Sequence, residues 1–252
     1  MNLPLDMKNY LENTVAALNL RQHPYFQGLL DGRFSKDQFL DSQNQFSYAV
    51  KYFARPMAAV IANMPNALTR SAIDGNLWEE HGRGDPEKIH GKTILTLIDR
   101  LGGDSSLLDE KYTSESIRIF NTALRGISVF EDYRTSAAVF GGIERTFVDV
   151  STLICEAIIE RGWLPQERIT HYALHKEIDI KHAEEFLEVT ADDWNRDDES
   201  KELIRRGIRM GARLFTNIYS DFAIDILQNN TLRDKASTPT ESNRNFVLKT
   251  AA

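Results

Sequence analysis

His175-Lys-Glu-Ile-Asp179-Ile-Lys-His182 is the stretch on which the fold and the chemistry of this chain turn. At about 100° per residue, helix positions i, i+4 and i+7 fall within an arc of roughly 60°. Two imidazoles and one carboxylate therefore leave a single helix in one direction. Ile178 and Phe186 continue the same seam, which places it against the interior. Polar groups buried there are costly unless they are hydrogen-bonded or hold a cation. The competing reading is a solvated face, because Lys176, Glu177, Lys181, Glu184 and Glu185 lie close by. His171 falls near the same arc without belonging to the set.

The helical period extends along nearly the whole chain, with no alternating strand pattern and no two-residue hairpin turn. Helices are expected at about 6–19, 24–31, 35–62 with a break near Pro56, 65–81, 86–101, 113–128, 131–162, 165–188 and 199–228. Ser35 opens one of them, with Asp37 and Gln38 in its first turn. Asp85 and Pro86 read as the cap and first position of another, after the break at Gly82 and Gly84. No spacer divides the pattern, so residues 1–229 form one all-α domain. Residues 230–252 are polar, contain Pro239 and lack apolar periodicity, which predicts a flexible tail.

Composition narrows the function. A length of 252 residues is ample for a sizeable core, and a net charge of -7 carries no footprint for nucleic acid or an acidic membrane surface. The single cysteine, Cys155, excludes an internal disulfide and suits a reducing cytoplasm. No leader pattern opens the chain, and no apolar run approaches the roughly 20 residues that span a bilayer. A cytoplasmic protein with no membrane partner is expected.

Two more segments supply metal-ligand types. Glu144 lies within Phe140-Gly-Gly-Ile-Glu-Arg-Thr-Phe147, with Phe140, Phe147 and Val148 as its helical neighbours. Arg145 is placed to pair with Asp149, four residues on, which leaves Glu144 available for a metal. In Asn76-Leu-Trp-Glu-Glu80-His-Gly-Arg-Gly-Asp-Pro-Glu-Lys-Ile-His90, Glu80 shares a stripe with Ile73 and Leu77. His90 begins a stripe with Ile94, Leu97 and Leu101, whereas Glu79 and His81 are expected to point elsewhere. Taken singly, Glu144 also fits a structural carboxylate, Glu80 a surface one and His90 a satisfied core histidine. Together Glu80, His90, Glu144, His175, Asp179 and His182 offer oxygen and nitrogen donors without thiolate, a set that suits iron or manganese. Six donors exceed what one open mononuclear site requires, and two metals use them naturally.

These segments, with His23-Pro-Tyr-Phe-Gln-Gly-Leu-Leu-Asp-Gly at the N-terminus, make the chain resemble the haem-oxygenase-like di-iron oxidases. These are relatives of the chlamydial death-domain-associating protein within the thiaminase and pyrroloquinoline-quinone synthase fold superfamily. The likeness spans roughly residues 20 to 225. It implies a seven-helix bundle, often a homodimer, that binds two irons through those six residues and activates dioxygen. The oxidised target would be a small amino-acid-derived or fatty-acid-like substrate, by desaturation, C–C cleavage or N-oxygenation. Gln45, Tyr48 and Tyr52 sit at helical spacing where they would contact such a substrate, or serve as ordinary core residues. No flavin or nicotinamide fingerprint is present, so electrons would come from the substrate or an external donor.

The chlamydial protein consumes its own tyrosine and needs a lysine on the helix of the isolated glutamate; here residues 144–163 contain no lysine. An external substrate is expected instead. The alternatives are a ferritin-like site using Glu87-x-x-His90, a metal-free thiaminase-like hydrolase with Cys155 as nucleophile or a quinone-synthase-like enzyme, and a non-catalytic helical binding protein.

Overall fold

The computed structural model describes the backbone of residues 3–237 and the side chains of residues 3–229. These residues form ten α-helices and short 3-10 turns, with no strand among them. The helices are α1 (Leu5–Ala16), α2 (Pro24–Leu30), α3 (Lys36–Asn63), α4 (Ala67–Glu80), α5 (His90–Arg100), α6 (Glu115–Phe130), α7 (Tyr133–Glu160), α8 (His171–Glu188), α9 (Ala191–Arg196) and α10 (Asp198–Ser237). Ten exceeds the seven expected, and the shortest two are α2 with 7 residues and α9 with 6. No helix is long and apolar enough to cross a membrane.

α7 is the axis. Twenty of its 28 residues are buried, so it is enclosed nearly all round, as expected of a central helix. α8 and α10 pack along it. α10 comes close because Gly142 presents no side chain: a Cβ there would stand 2.5 Å from the carbonyl oxygen of Ile208. α3 packs across α5 and α6 and closes the other side of the core. α1 covers the α7–α10 pair through a separate cluster of Met7, Leu11 and Val15 with Ala138, Leu187, Trp194, Ile204 and Ile208.

Several boundaries differ from expectation. Ser35 does open α3, with the reciprocal Ser35–Gln38 capping box, but Pro56 causes no break. Burial of Phe46 and Ala49 on one side of it and Met57, Val60 and Ile61 on the other holds the helix together. That burial offsets the roughly 3 kcal/mol a helical proline costs. Pro86 opens only a single 3-10 turn, Pro86–Lys88; Ile89 is extended and α5 begins at His90. Likewise α8 starts at His171 rather than 165, because extended Ile169, 3% exposed, draws the chain out of helix into the core. α10 runs to Ser237, past the expected end at 228. The rest of the expected tail, 238–252, lies outside the described residues.

Candidate metal centre

Four helices meet at one point. α4 ends on Glu80, α5 begins on His90, α7 contributes Glu144, and α8 contributes His175, Asp179 and His182. None of the six is more than 5% exposed. Glu80 Oε1 lies 2.9 Å from His90 Nδ1, and the His90 and His175 rings are 4.6 Å apart, edge to face. His175 Nδ1 lies 2.9 Å from Asp179 Oδ1, and His182 Nδ1 lies 3.6 Å from the same oxygen. Glu144, Asp179 and His182 each offer a ligand atom, and these atoms lie within 4.8 Å of one another. The three inward residues of the opening octapeptide thus converge with the three ligand types from other helices.

Charge at this point is not balanced by any arginine or lysine among the six. Burial raises the Glu144 carboxyl well above its ordinary value, and the nearby carboxylates of Asp179 and Glu80 raise it further. Burial also opposes ionisation of Asp179 and of the His90 and His182 rings. Contact between carboxylates and imidazoles outweighs it, lowering Asp179 and raising His90 and His182. Three buried atoms in the cluster have no hydrogen-bond partner: Glu144 Oε1, His175 Nε2 and His182 Nδ1. Orphaned polar atoms of this kind carry a substantial desolvation penalty. Unpartnered oxygen and nitrogen atoms buried beside one another suit a cation of the iron or manganese type, and the residues fit such a group.

An apolar cavity of about 30 Å3 adjoins the cluster. Phe46 and Phe53 of α3, Phe120 of α6, Phe147 of α7 and Phe215 of α10 wall it, and Glu80, Glu144 and His175 face into it. The site thus borders an apolar space on this side, while His90 also lines a larger, more open pocket with Glu79, Arg83 and Thr93.

The remaining sequence candidates fall elsewhere. Gln45 bonds to the Tyr112 carbonyl and the Ser114 amide, and Tyr48 to the Asp109 carbonyl. With Tyr52, these residues line separate, more polar pockets and are absent from the cavity wall. The α3 wall of that cavity is formed instead by Phe46, Ala49, Val50 and Phe53. Gln45 and Tyr48 pin the 109–114 connection, and the Tyr52 ring lies beside the Arg55 guanidinium. His171 is fully buried beside His175, its ring 4.5 Å away; its Nδ1 bonds to Thr93, while its Nε2 has no hydrogen-bond partner. Glu87 is 75% exposed and pairs with Lys92, which removes the carboxylate that a ferritin-like pair would use. Arg145 pairs with Asp149 and also with Glu12, leaving Glu144 free of it.

Two residues near the cluster escaped the sequence reading. Asn76, 1% exposed, has neither amide atom bonded. Glu79, expected to point away, bonds to His182 Nε2 at 3.0 Å. Their i, i+3 spacing on the inward side of α4 was the available signal.

Residues 42–216 match a protein family described as iron-containing redox enzymes. The 4-aminobenzoate synthase of Nitrosomonas europaea is 18% identical over 234 residues, which takes in 87% of this chain and 94% of that protein. Two solved structures share the fold. A domain of unknown function with a haem oxygenase-like fold from Shewanella denitrificans gives a TM-score of 0.72 at 19% identity, covering 90% of this chain and 95% of its own. A CADD-like protein of unknown function from Nostoc punctiforme gives 0.69 at 16% identity, covering 88% and 99%.

Proposed function

Because this chain belongs to the family of iron-containing redox enzymes, we propose that it is a non-haem di-iron oxidase acting on a small external substrate with dioxygen. Glu80, His90, Glu144, His175, Asp179 and His182 hold the two irons. The observation that carries this is the trio of orphaned atoms, Glu144 Oε1, His175 Nε2 and His182 Nδ1, beside an apolar cavity. Bound iron supplies the electrons that activate dioxygen.

The protein contributes position and an apolar surround. The phenylalanine wall lines the face where Glu80, Glu144 and His175 point. A space of about 30 Å3 accommodates a molecule of water or dioxygen size. An apolar lining selects an apolar or aromatic portion of the substrate. The two electrons of each turnover come from the substrate or an external donor.

The test is reconstitution with Fe(II) under anaerobic conditions, then oxygen, reductant and a panel of amino acids, fatty acids and aromatic acids. Up to two irons per chain and many product molecules per enzyme are expected, with the mass of the enzyme unchanged. Alanine at His175, Asp179 or His182 removes metal and activity, whereas alanine at His171 or Glu87 leaves most metal bound. The Nitrosomonas relative, a 4-aminobenzoate synthase, supports a second reading in which the product is an aromatic amine. If a tyrosine of the chain itself were consumed, one turnover with loss of that side chain would replace the catalytic outcome.

A further inference from the structure

The Gly82-Arg83-Gly84 turn follows α4 with three consecutive left-handed residues, φ 74°, 52° and 85°. It folds the chain back so that Arg83 donates to Glu79 Oε1 on the last turn of α4. The other oxygen of Glu79, Oε2, lies 3.0 Å from His182 Nε2. Glu79 is 14% exposed and His182 1%, so the chain Arg83–Glu79–His182 runs from the surface to the buried cluster. On the far side of the ring, Nδ1 has no hydrogen-bond partner and lies 3.6 Å from Asp179 Oδ1.

The two ring nitrogens are thereby distinguished. A carboxylate can only accept, so Nε2 carries the proton that Glu79 receives. In the neutral imidazole Nδ1 is then the bare lone pair, on the Asp179 side of the ring. A carboxylate bonded to the outer N–H of a ligating histidine fixes its tautomer and orientation and increases its donor strength. We propose that Glu79 is a positioning residue of the metal centre: held by Arg83, it locks His182 as the Nε2–H tautomer and makes Nδ1 the metal-facing atom.

This rests on the di-iron reading above, and the experiment separates the two. Full-length wild-type protein is compared with Glu79→Gln, whose amide oxygen accepts the same bond, and with Glu79→Ala, which has no acceptor. Long-range proton–nitrogen NMR of the metal-free protein in mildly alkaline buffer reads the tautomer, the His182 signal being assigned by its loss in His182→Gln. Anaerobic titration with Fe(II) and with Co(II) reads affinity, and thermal melts establish that each variant is folded. Wild type and Glu79→Gln should show the Nε2–H form. Glu79→Ala should show a tautomer mixture and bind metal roughly 10- to 100-fold more weakly, with Glu79→Gln recovering most of that loss. A wild-type His182 protonated on Nδ1, or a Glu79→Ala protein with wild-type affinity, would overturn the positioning role alone. Glu79→Gln losing a whole metal equivalent would make Glu79 a ligand and overturn it as well. Wild-type protein that takes up neither metal would overturn the di-iron reading, and the positioning role with it.

Discussion

Gly82 packs against Ile89 with no space for a side chain: a Cβ at position 82 would stand 2.7 Å from the Ile89 amide nitrogen. This contact brings the start of α5 beside the end of α4, so that His90 reaches Glu80. Gly82→Ala must move the 88–89 backbone and adopt a φ of +74°, which costs about 1–2 kcal/mol for an L-residue. The expected outcome is a lower melting temperature together with loss of metal in an anaerobic Fe(II) titration. Gly84→Ala is the control, because its φ is +85° but the added Cβ meets only the Trp78 ring edge at 3.3 Å. It should lose comparable stability and keep its metal; equal metal loss in both would show that the Gly82–Ile89 approach has no special part.

Glu144 is expected to lower the stability of the metal-free fold for the sake of the site. Its folded pKa is raised from 4.5 by burial and by neighbouring carboxylates. A raised value means the folded state holds the proton more tightly than the unfolded one. The contribution of Glu144 to the stability of the metal-free protein is therefore most favourable below the ordinary carboxylate value and is lost as pH rises through the folded one. Glu144→Gln removes that decline, raises metal-free stability at neutral pH by about 0.5–2 kcal/mol, and abolishes metal uptake. Denaturant melts across pH check it, and a variant less stable than wild type at neutral pH would refute the account.

Ala49 lines the cavity from α3 and is 3% exposed. Ala49→Val puts two carbons into a space of about 30 Å3. Overpacking of this kind costs about 1–3 kcal/mol, while the metal-binding side chains are untouched. Metal content should match wild type and turnover of the identified substrate should fall at least ~10-fold by loss of near-attack geometry. Unchanged kcat/KM would place the substrate somewhere else.

Cys155 is 8% exposed, and burial pushes its thiol up to about 11. The thiol is thus protonated at neutral pH, where a nucleophile needs the thiolate. Alkylation by iodoacetamide should be far slower in the folded protein than in denaturant, and Cys155→Ser should retain oxidase turnover. Rapid alkylation with loss of activity would revive the thiaminase-like hydrolase.

Much of this molecule is decided locally. Helical period, the Ser35–Gln38 capping box and the i, i+4, i+7 spacing of His175, Asp179 and His182 are properties of short segments, and they show in the sequence because side-chain direction on a helix follows from spacing alone. The same rule identified the inward stripes of Glu80, His90 and Glu144. Spacing does not say which helices are neighbours, and that is where tertiary structure decided the outcome. Glu79 and Glu80 are adjacent in sequence and both meet histidines, Glu79 on α8 and Glu80 on α5, through the turn at Gly82–Gly84. Pro56 stays within α3 because of what its two halves pack against, which no local signal contains. Gln45 and Tyr48 share a helix with the cavity wall but not its lining; their partners at Asp109, Tyr112 and Ser114 arrive from a connection more than 60 residues away, and only the folded chain brings them there.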